Sequence, residues 1–484
     1  MLHRSKLSVG YLAALGALAG GIALSSSALA SAQQQSGQTG SRGGGRHAAT
    51  IANTFSIGDL QASTVGASGC GSNLAGEPAI HVSRAGNVFV GSELGLGGGS
   101  ELWRGLGATG GSSASGCGLE YRGQPNAITS GLGASGGDID LATASAPNAS
   151  GNYNLYVASL NLGSVNVATS SDNGTTFSQT PVQAGLPLDD REWIAAFGAS
   201  TSLLSYHDIA TSDIDVLRSD NAGATYTQVS QVIPETDYKA GNNELGNLVI
   251  DHDNLPDATG DFYAYQAFVA PSTSSGSTYN EAWLGVSSDG GHTWTDKPIP
   301  CSVTASGTSN GLDHNFPNVS VAPNGNLWYA WSDNQSIYTA ESSDHGQTWS
   351  CSPAVSTGSA QAIYPWLVAT SGGVDLVYYG APTTANQTWY VYFAQNTAGS
   401  TSAWGTPQQL TAVHSGSVCE GGVSCTGGRQ LFDDFGVDTD SSGWAHIAYS
   451  SDASSTGSFS FGGLSTTMGY AVQTGGTAIG APNN

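Results

Sequence analysis

One phrase recurs four times along this chain. It appears as Ser170-Ser171-Asp172-Asn173-Gly174-Thr175-Thr176-Phe177 and as Ser219-Asp220-Asn221-Ala222-Gly223-Ala224-Thr225-Tyr226. It returns as Ser287-Ser288-Asp289-Gly290-Gly291-His292-Thr293-Trp294 and as Ser342-Ser343-Asp344-His345-Gly346-Gln347-Thr348-Trp349. Each copy reads Ser-x-Asp/Asn-x-Gly-x-Thr-aromatic. Intervals of roughly 50–70 residues between copies, with several short strands in each, predict a β-propeller. The Asp or Asn turns the chain by accepting backbone N–H groups, and the Gly takes the positive φ such a turn needs. Thr and the aromatic residue then enter the next strand, where the ring can pack between neighbouring sheets. The phrase is a hairpin corner, and its Asp is structural.

A second repeat counts the blades. Apolar strands alternate with Gly/Asn/Asp turns and aromatic-rich strands, as in Ala79–Val82 with Val88–Val90, Leu248–Ile250 with Phe262–Tyr265, and Phe435–Val437 with Ala445–Tyr449. Seven such units predict an all-β fold, a single propeller of seven four-stranded antiparallel blades. Six blades is the alternative, with the first unit merged into the last. Units two to five carry the four phrases, and unit six has a degenerate copy around Gln395–Trp404. Thr54–Leu60 is positioned to complete the last blade and so remove the exposed sheet edges.

The chain opens on the basic stub Met1-Leu2-His3-Arg4-Ser5-Lys6 and the apolar run Leu7–Leu24. Small residues follow at Ala28-Leu29-Ala30 and Ala30-Ser31-Ala32, which reads as a removed secretory signal over 1–32. Residues 33–50, rich in Gln, Gly and Ser, read as a disordered leader, and 51–484 as the propeller domain. No other stretch is apolar enough to span a bilayer. Twelve Lys+Arg against 36 Asp+Glu leave a formal charge of −24. That excludes nucleic acid, whose binding needs clustered cations, and disfavours an anionic membrane surface. The expected protein is a secreted, extracellular monomer. Its six cysteines are an even set in an export context, and proximity pairs Cys70 with Cys117, Cys301 with Cys351, and Cys419 with Cys425.

With the corners on one face, the starts of the innermost strands lie at the opposite, top mouth. These starts are Glu77, Asp138, Asp189-Asp190-Arg191-Glu192-Trp193, Asn243-Glu244, Asp313-His314-Asn315, Tyr364-Pro365-Trp366 and Asp433-Asp434-Phe435. Nearly every blade places an acid or amide there, in a chain with few charges. Crowded carboxyl groups raise one another's pKa and serve as acid/base pairs or cation ligands. The rival reading is an acidic, water-filled channel. Two other signals count for less. Gly307-Thr308-Ser309-Asn310-Gly311 matches a nucleophile elbow but precedes no helix. Asp251-His252-Asp253-Asn254 with Asp257 and Asp261 offers oxygens for a structural calcium ion, yet reads more naturally as a turn between strands. No other cofactor is expected.

The corner phrase resembles the Asp-box (BNR) repeat of sialidases and related secreted propellers. Asp190-Arg191-Glu192-Trp193-Ile194-Ala195 and Tyr206-His207-Asp208 are similar to stretches of secreted bacterial Asp-box proteins of the sialidase family. The resemblance implies a glycan-acting protein, plausible as a sialidase-like exo-glycosidase. Such enzymes use an arginine triad, a Tyr nucleophile activated by Glu, and an Asp acid/base. On that pattern Asp190 is the acid, and Tyr206 with Glu192 or Asp208 is the nucleophile and base. Arg191, His207, Trp193, Trp366, Arg429 and Asp434 then bind substrate. The family's early Phe/Tyr-Arg-Ile-Pro motif is absent here. Two alternatives stand beside the enzyme: a non-catalytic propeller binding polysaccharide or protein at the same mouth, and an Arg191 that merely locks blades through Asp189 or Asp434.

Overall fold

The computed structural model describes residues 52–483 apart from 67, 71–74, 95–98, 108–116, 126–137, 161–163, 183–188, 209, 257–260, 305–310, 313–315, 386, 422–424, 426–429 and 453–465. The signal and leader segments, Asp257, the elbow-like residues 307–310, Asp313-His314-Asn315 and Arg429 lie outside the described residues. The strands form seven antiparallel sheets of four, and the ring has seven blades rather than six. Blades one to six span 76–123, 139–182, 189–233, 244–299, 318–351 and 361–415. Blade seven joins residues 436–475 to the strand Thr54–Asp59, whose Phe55 pairs with Gln473 and Asp59 with Gly469. The chain thus closes its own ring, its first described strand supplying the outer strand of the last blade. One strand is displaced from expectation: the second strand of blade four is Ala264–Ala270, later than Phe262–Tyr265.

Buried apolar side chains gather into seven clusters, one in each seam between adjacent blades. A twisted sheet with apolar residues on both faces can bury them only against a neighbour on each side, so the seams are the core. The corner phrases feed these seams. Phe177, Tyr226, Trp294 and Trp349 each pack into the seam with the preceding blade, and Trp404 does the same from the degenerate corner of blade six. All four corners join the third and outer strands, which puts them on one face, the bottom. Asp172 Oδ1 accepts from the backbone N–H groups of Thr175 at 3.0 Å and Thr176 at 2.8 Å, while Ser170 Oγ accepts from Gly174 N–H at 2.8 Å. Asn221, Asp289 and Asp344 repeat the bond to the Thr N–H. The corner glycines adopt φ of 70°, 76°, 90° and 78°, a region costly to a side chain bearing Cβ.

A further set of bonds staples blade to blade around the axis. Ile194 N–H donates to Asp140 Oδ2 at 2.8 Å, Val319 N–H to Asn247 Oδ1 at 2.8 Å, and Leu367 N–H to Asn318 Oδ1 at 2.7 Å. Val82 N–H donates to Asp438 Oδ2 at 2.7 Å across the seam between blades seven and one. Each acceptor is a buried Asp or Asn in an innermost strand, reaching the innermost strand of the next blade. At the bottom the C-terminal tail crosses the axis. Asn483 donates to Asp251 Oδ1 at 2.8 Å and accepts from His252 N–H at 2.9 Å. Asp251 also accepts from Asp253 and Asn254 N–H groups, so this acidic stretch is a turn as its sequence suggested.

All three expected disulfides are present. Cys70–Cys117 ties the exit of the closing strand to the entry of blade one's outer strand. Cys301–Cys351 joins blade four to blade five, and Cys419–Cys425 closes the loop between blades six and seven.

The staples yield a quantitative expectation. Asn247→Ala leaves both Val319 N–H and Val319 C=O without their side-chain partners. Orphaning buried polar groups costs about 1–3 kcal/mol each. Urea unfolding is expected to show a loss of about 2–4 kcal/mol with the m-value unchanged, whereas a loss below 0.5 kcal/mol, about the error of such measurements, would remove the staples from the account.

Candidate functional site: an acidic mouth around a buried arginine

The innermost strands do not run straight into the mouth. In blades one, three, four and six the register slips near the top, between Gly76 and Ala79, Asp190 and Trp193, Leu245 and Leu248, and Ile363 and Trp366. Each slip is a β-bulge, which re-aims a side chain. Three bulges hold a non-glycine residue at positive φ: Glu77 at 47°, Arg191 at 55° and Tyr364 at 56°. Leu431 and Phe432, just ahead of blade seven's acids, are also at positive φ, and a Cβ on Gly76 would lie 2.6 Å from the Phe432 ring. Backbone strain at non-glycine residues persists only where surroundings enforce it, and it concentrates at functional sites.

Arg191 stands at the centre of this arrangement and is buried. Its guanidinium lies 3.7 Å from Glu77, 3.6 Å from Asp138, 3.9 Å from Asp433 and 3.7 Å from Asp434. Blades one, two and seven, or the segments leading into them, supply these four acids. Below, the guanidinium carbon sits 3.9 Å from the Phe316 ring centroid and 5.5 Å from that of Trp193, and Trp193 packs on Trp366 at 5.6 Å. Burial works against the charge of Arg191, but Asp138, Asp434, Glu77 and Asp433 together outweigh it and hold the group protonated.

Two more acids complete the mouth. Asp190 is exposed to solvent at the top, with desolvation acting on its carboxyl. That desolvation, followed by repulsion from Asp138, pushes its pKa up to about 7. Glu192 is buried, and burial ahead of the Asp138 charge drives its pKa well above the usual carboxylate range. The mouth therefore offers protonated carboxyl groups beside ionised ones at neutral pH, the condition for acid/base work. Arg191 Nη2, both Glu192 oxygens and Trp193 Nε1 are buried without a hydrogen-bond partner among the described residues.

The structure brings together Asp190, Arg191, Glu192, Trp193, Trp366 and Asp434. It places the other sequence candidates elsewhere. Tyr206 faces the seam between blades two and three, fully buried, with its hydroxyl bonded to Asp215. Asp208 stands with it, directly opposite Asp189 on the adjacent strand. His207 projects from the other face of its strand, and burial lowers its pKa. Arg191 pairs with Asp434, as one reading held, but with Glu77, Asp138 and Asp433 rather than Asp189. The remaining described arginines of the ring serve the bottom: Arg84 pairs with Asp253, Arg104 and Arg122 hold the first corner, and Arg218 holds Gly290 of the third. Among the described residues, Arg191 is the one arginine at the mouth.

No protein-family model matches the chain, and no curated protein sequence matches it. Solved structures do. The chain is similar to a GH74 enzyme from Niastella koreensis, at 14% identity and a TM-score of 0.50, covering 81% of this chain and 52% of that one. It therefore spans about half the length of that enzyme. It is also similar to an α-L-arabinanase from Penicillium chrysogenum (14% identity, 87% and 98% coverage, TM-score 0.39) and to a Hadza microbial sialidase (13%, 69% and 64%, 0.40). The likeness is one of fold.

The titration pattern sets the pH dependence of stability. Asp140, Asp190 and Asp438 have folded pKa values of about 7, and Asp375 of about 8, above the unfolded value of 3.8. Their stabilising contribution is complete below 3.8 and lost as pH rises through 7–8. Asp172 and Asp344, lowered to about 2, act oppositely and lose theirs as pH falls through 2. The Tm is expected to be higher at pH 5 than at pH 8 and to fall below about pH 3; a maximum at pH 8 would contradict these assignments. Arg191→Met should cost about 3–5 kcal/mol at pH 8 and visibly less at pH 5, where the abandoned carboxyl groups take up protons. An equal loss at both pH values would show that packing, not charge, holds Arg191.

Proposed function

We propose that the top mouth binds and hydrolyses a neutral, hydroxyl-rich glycan. One observation carries this reading: a single buried guanidinium is already surrounded by four carboxylates, with Asp190 and Glu192 beside them and an aromatic floor beneath. A ligand bearing its own carboxylate would meet no uncommitted cation among the described residues. It would meet several like charges, each costing about 4 kcal/mol at 4 Å in an effective dielectric of 20. Neutral sugars escape that repulsion. Carboxylates accept from pairs of sugar hydroxyls, and the partly exposed Trp366 offers a face for a sugar ring.

The chemistry that fits is two-carboxylate hydrolysis. Asp190 is the accessible acid, protonated below about pH 7, and donates to the departing glycosidic oxygen. As the glycosidic bond breaks a water adds to the anomeric carbon and gives its proton to Asp138, which is hydrogen-bonded to Asp190 and returns that proton to it for the next cycle. The tyrosine-nucleophile scheme draws no support from the geometry, because Tyr206 is committed to the neighbouring seam. Binding without turnover is the second reading, and the same residues would carry it.

A panel of neutral and anionic oligosaccharides tests both. Wild-type protein is expected to cleave a neutral member, with kcat falling as pH rises through 7. Asp190→Asn should lower kcat about 10²–10⁴-fold with KM little changed, and Trp366→Ala should raise KM. Binding that needs Trp366 without any turnover would select the non-catalytic reading. No neutral glycan bound, or both variants unaffected, would place the function away from this mouth.

A further inference from the structure

A second acidic cluster lies beside the mouth, in the top of blade three, and the glycan reading does not use it. Asp208 ends the second strand of the blade, Asp213 ends the loop that follows, and Asp215 is the second residue of the third strand. One carboxylate oxygen from each lies within 4.8 Å of the other two, and all three residues are buried. Their arrangement is fixed by the backbone. Asp208 N–H donates to Asp213 C=O at 3.1 Å, and Asp215 pairs with Tyr206 across the ladder. Neutral donors hold part of the set: Ala210 N–H reaches Asp208 Oδ1 at 2.8 Å, Thr211 Oγ1 reaches Asp213 Oδ1, and Gln228 Nε2 reaches Asp215 Oδ1 at 2.6 Å. Gln231 bonds both Asp213 and Asp215.

Asp189 makes the cluster more than a group of acids. It sits on the neighbouring strand directly opposite Asp208, so both side chains project from the same face of the sheet. Asp189 is 2% exposed, and neither of its carboxylate oxygens has a hydrogen-bond partner among the described residues. Like charges directly opposite each other in a ladder destabilise it, and a buried carboxylate with no partner is costlier still. No arginine, lysine or histidine forms a described ion pair with any of the four. Oxygens converging from three buried side chains, faced by Asp189 and without a protein cation among the described residues, match the needs of a hard divalent ion.

From this juxtaposition we infer that Asp208, Asp213 and Asp215 form a calcium site in blade three, with Asp189 facing it as a fourth negative charge. All-oxygen donors select against zinc or copper, which favour nitrogen and sulfur, and three protein carboxylates in one buried cluster suit calcium better than magnesium, which keeps several of its waters. This site is distinct from the Asp251 turn, where a single acid has its Oδ1 occupied by backbone N–H groups and by Asn483.

Terbium titration of the intact protein, with calcium as competitor, tests the assignment. Tyr206, bonded to Asp215, is placed to sensitise the ion's emission. Wild-type protein should bind one ion at the cluster, release it to calcium, and melt at a higher temperature in calcium than in EDTA. Asp215→Asn and, separately, Asp213→Asn should weaken binding about tenfold or more, while Asp251→Asn leaves it unchanged. Crystals soaked in terbium supply a readout that does not depend on the variants folding: an anomalous peak about 2.3–2.6 Å from these carboxylate oxygens. No binding at millimolar calcium, an unaltered affinity in both cluster variants, or an anomalous peak elsewhere would overturn the proposal.

Discussion

A guanidinium on the axis of a ring has few ways to be tolerated, and the top of this propeller is organised around the one adopted here. Burying Arg191 unpaired would cost several kcal/mol. Acids of blade one, of the entry to blade two and of the entry to blade seven surround it, and the rings of Phe316 and Trp193 support it from below. Reaching that position requires bulged strands and positive φ at Glu77 and Arg191. Strain, burial and charge all point inward to one place. The same arrangement spends the mouth's one described arginine on its own scaffold, which is why the site suits uncharged hydroxyl-rich ligands better than anionic ones.

The ring beneath is held by two independent devices. Apolar residues fill the seven seams, and the corner aromatics reach back into them from the bottom. The axial staples tie neighbouring innermost strands through buried Asp and Asn side chains. Asp140 and Asp438 each accept backbone N–H bonds that favour the ionised form, yet burial outweighs those bonds and raises both pKa values. An acidic, lysine-poor chain built this way tolerates mild acid better than alkali. Cys301–Cys351 ties blade four to blade five and Cys70–Cys117 ties the exit of the closing strand to blade one, so these two bridges limit how far the ring can open.

Much of this was legible in the residues themselves. The Ser-x-Asp/Asn-x-Gly-x-Thr-aromatic phrase carries its own turn chemistry, so the corners, their common face and the destination of the aromatic ring follow from local physics. The strand count, the closing role of Thr54–Asp59 and the cysteine pairs follow from repetition and proximity. Acids at the innermost strand starts also announce the mouth. What sequence reasoning missed depends on geometry that no local pattern encodes. The bulge at Arg191 and Glu192 decides which face each of them takes, and it separates Tyr206 and Asp208 from the residues they were grouped with. Asp140, Asn247 and Asn318 look like ordinary polar positions in strands; only the ring's curvature sets them against the next blade. Phe316 borders a recognised strand start, but its stacking on Arg191 depends on blades meeting at the axis. Asp213-Ile214-Asp215 carries a signal of its own, two acids on alternate positions where a strand begins.

The charge preference of the mouth follows most directly from the commitment of Arg191 to its four carboxylates. Calorimetric titration at pH 6 with matched oligosaccharides, neutral in one series and carboxylate-bearing in the other, measures it. The account predicts saturable heat with a neutral series and none with its anionic counterpart. Tighter binding of the anionic series, abolished in Arg191→Met, would show that Arg191 is free to grip a ligand and would contradict the account at its centre.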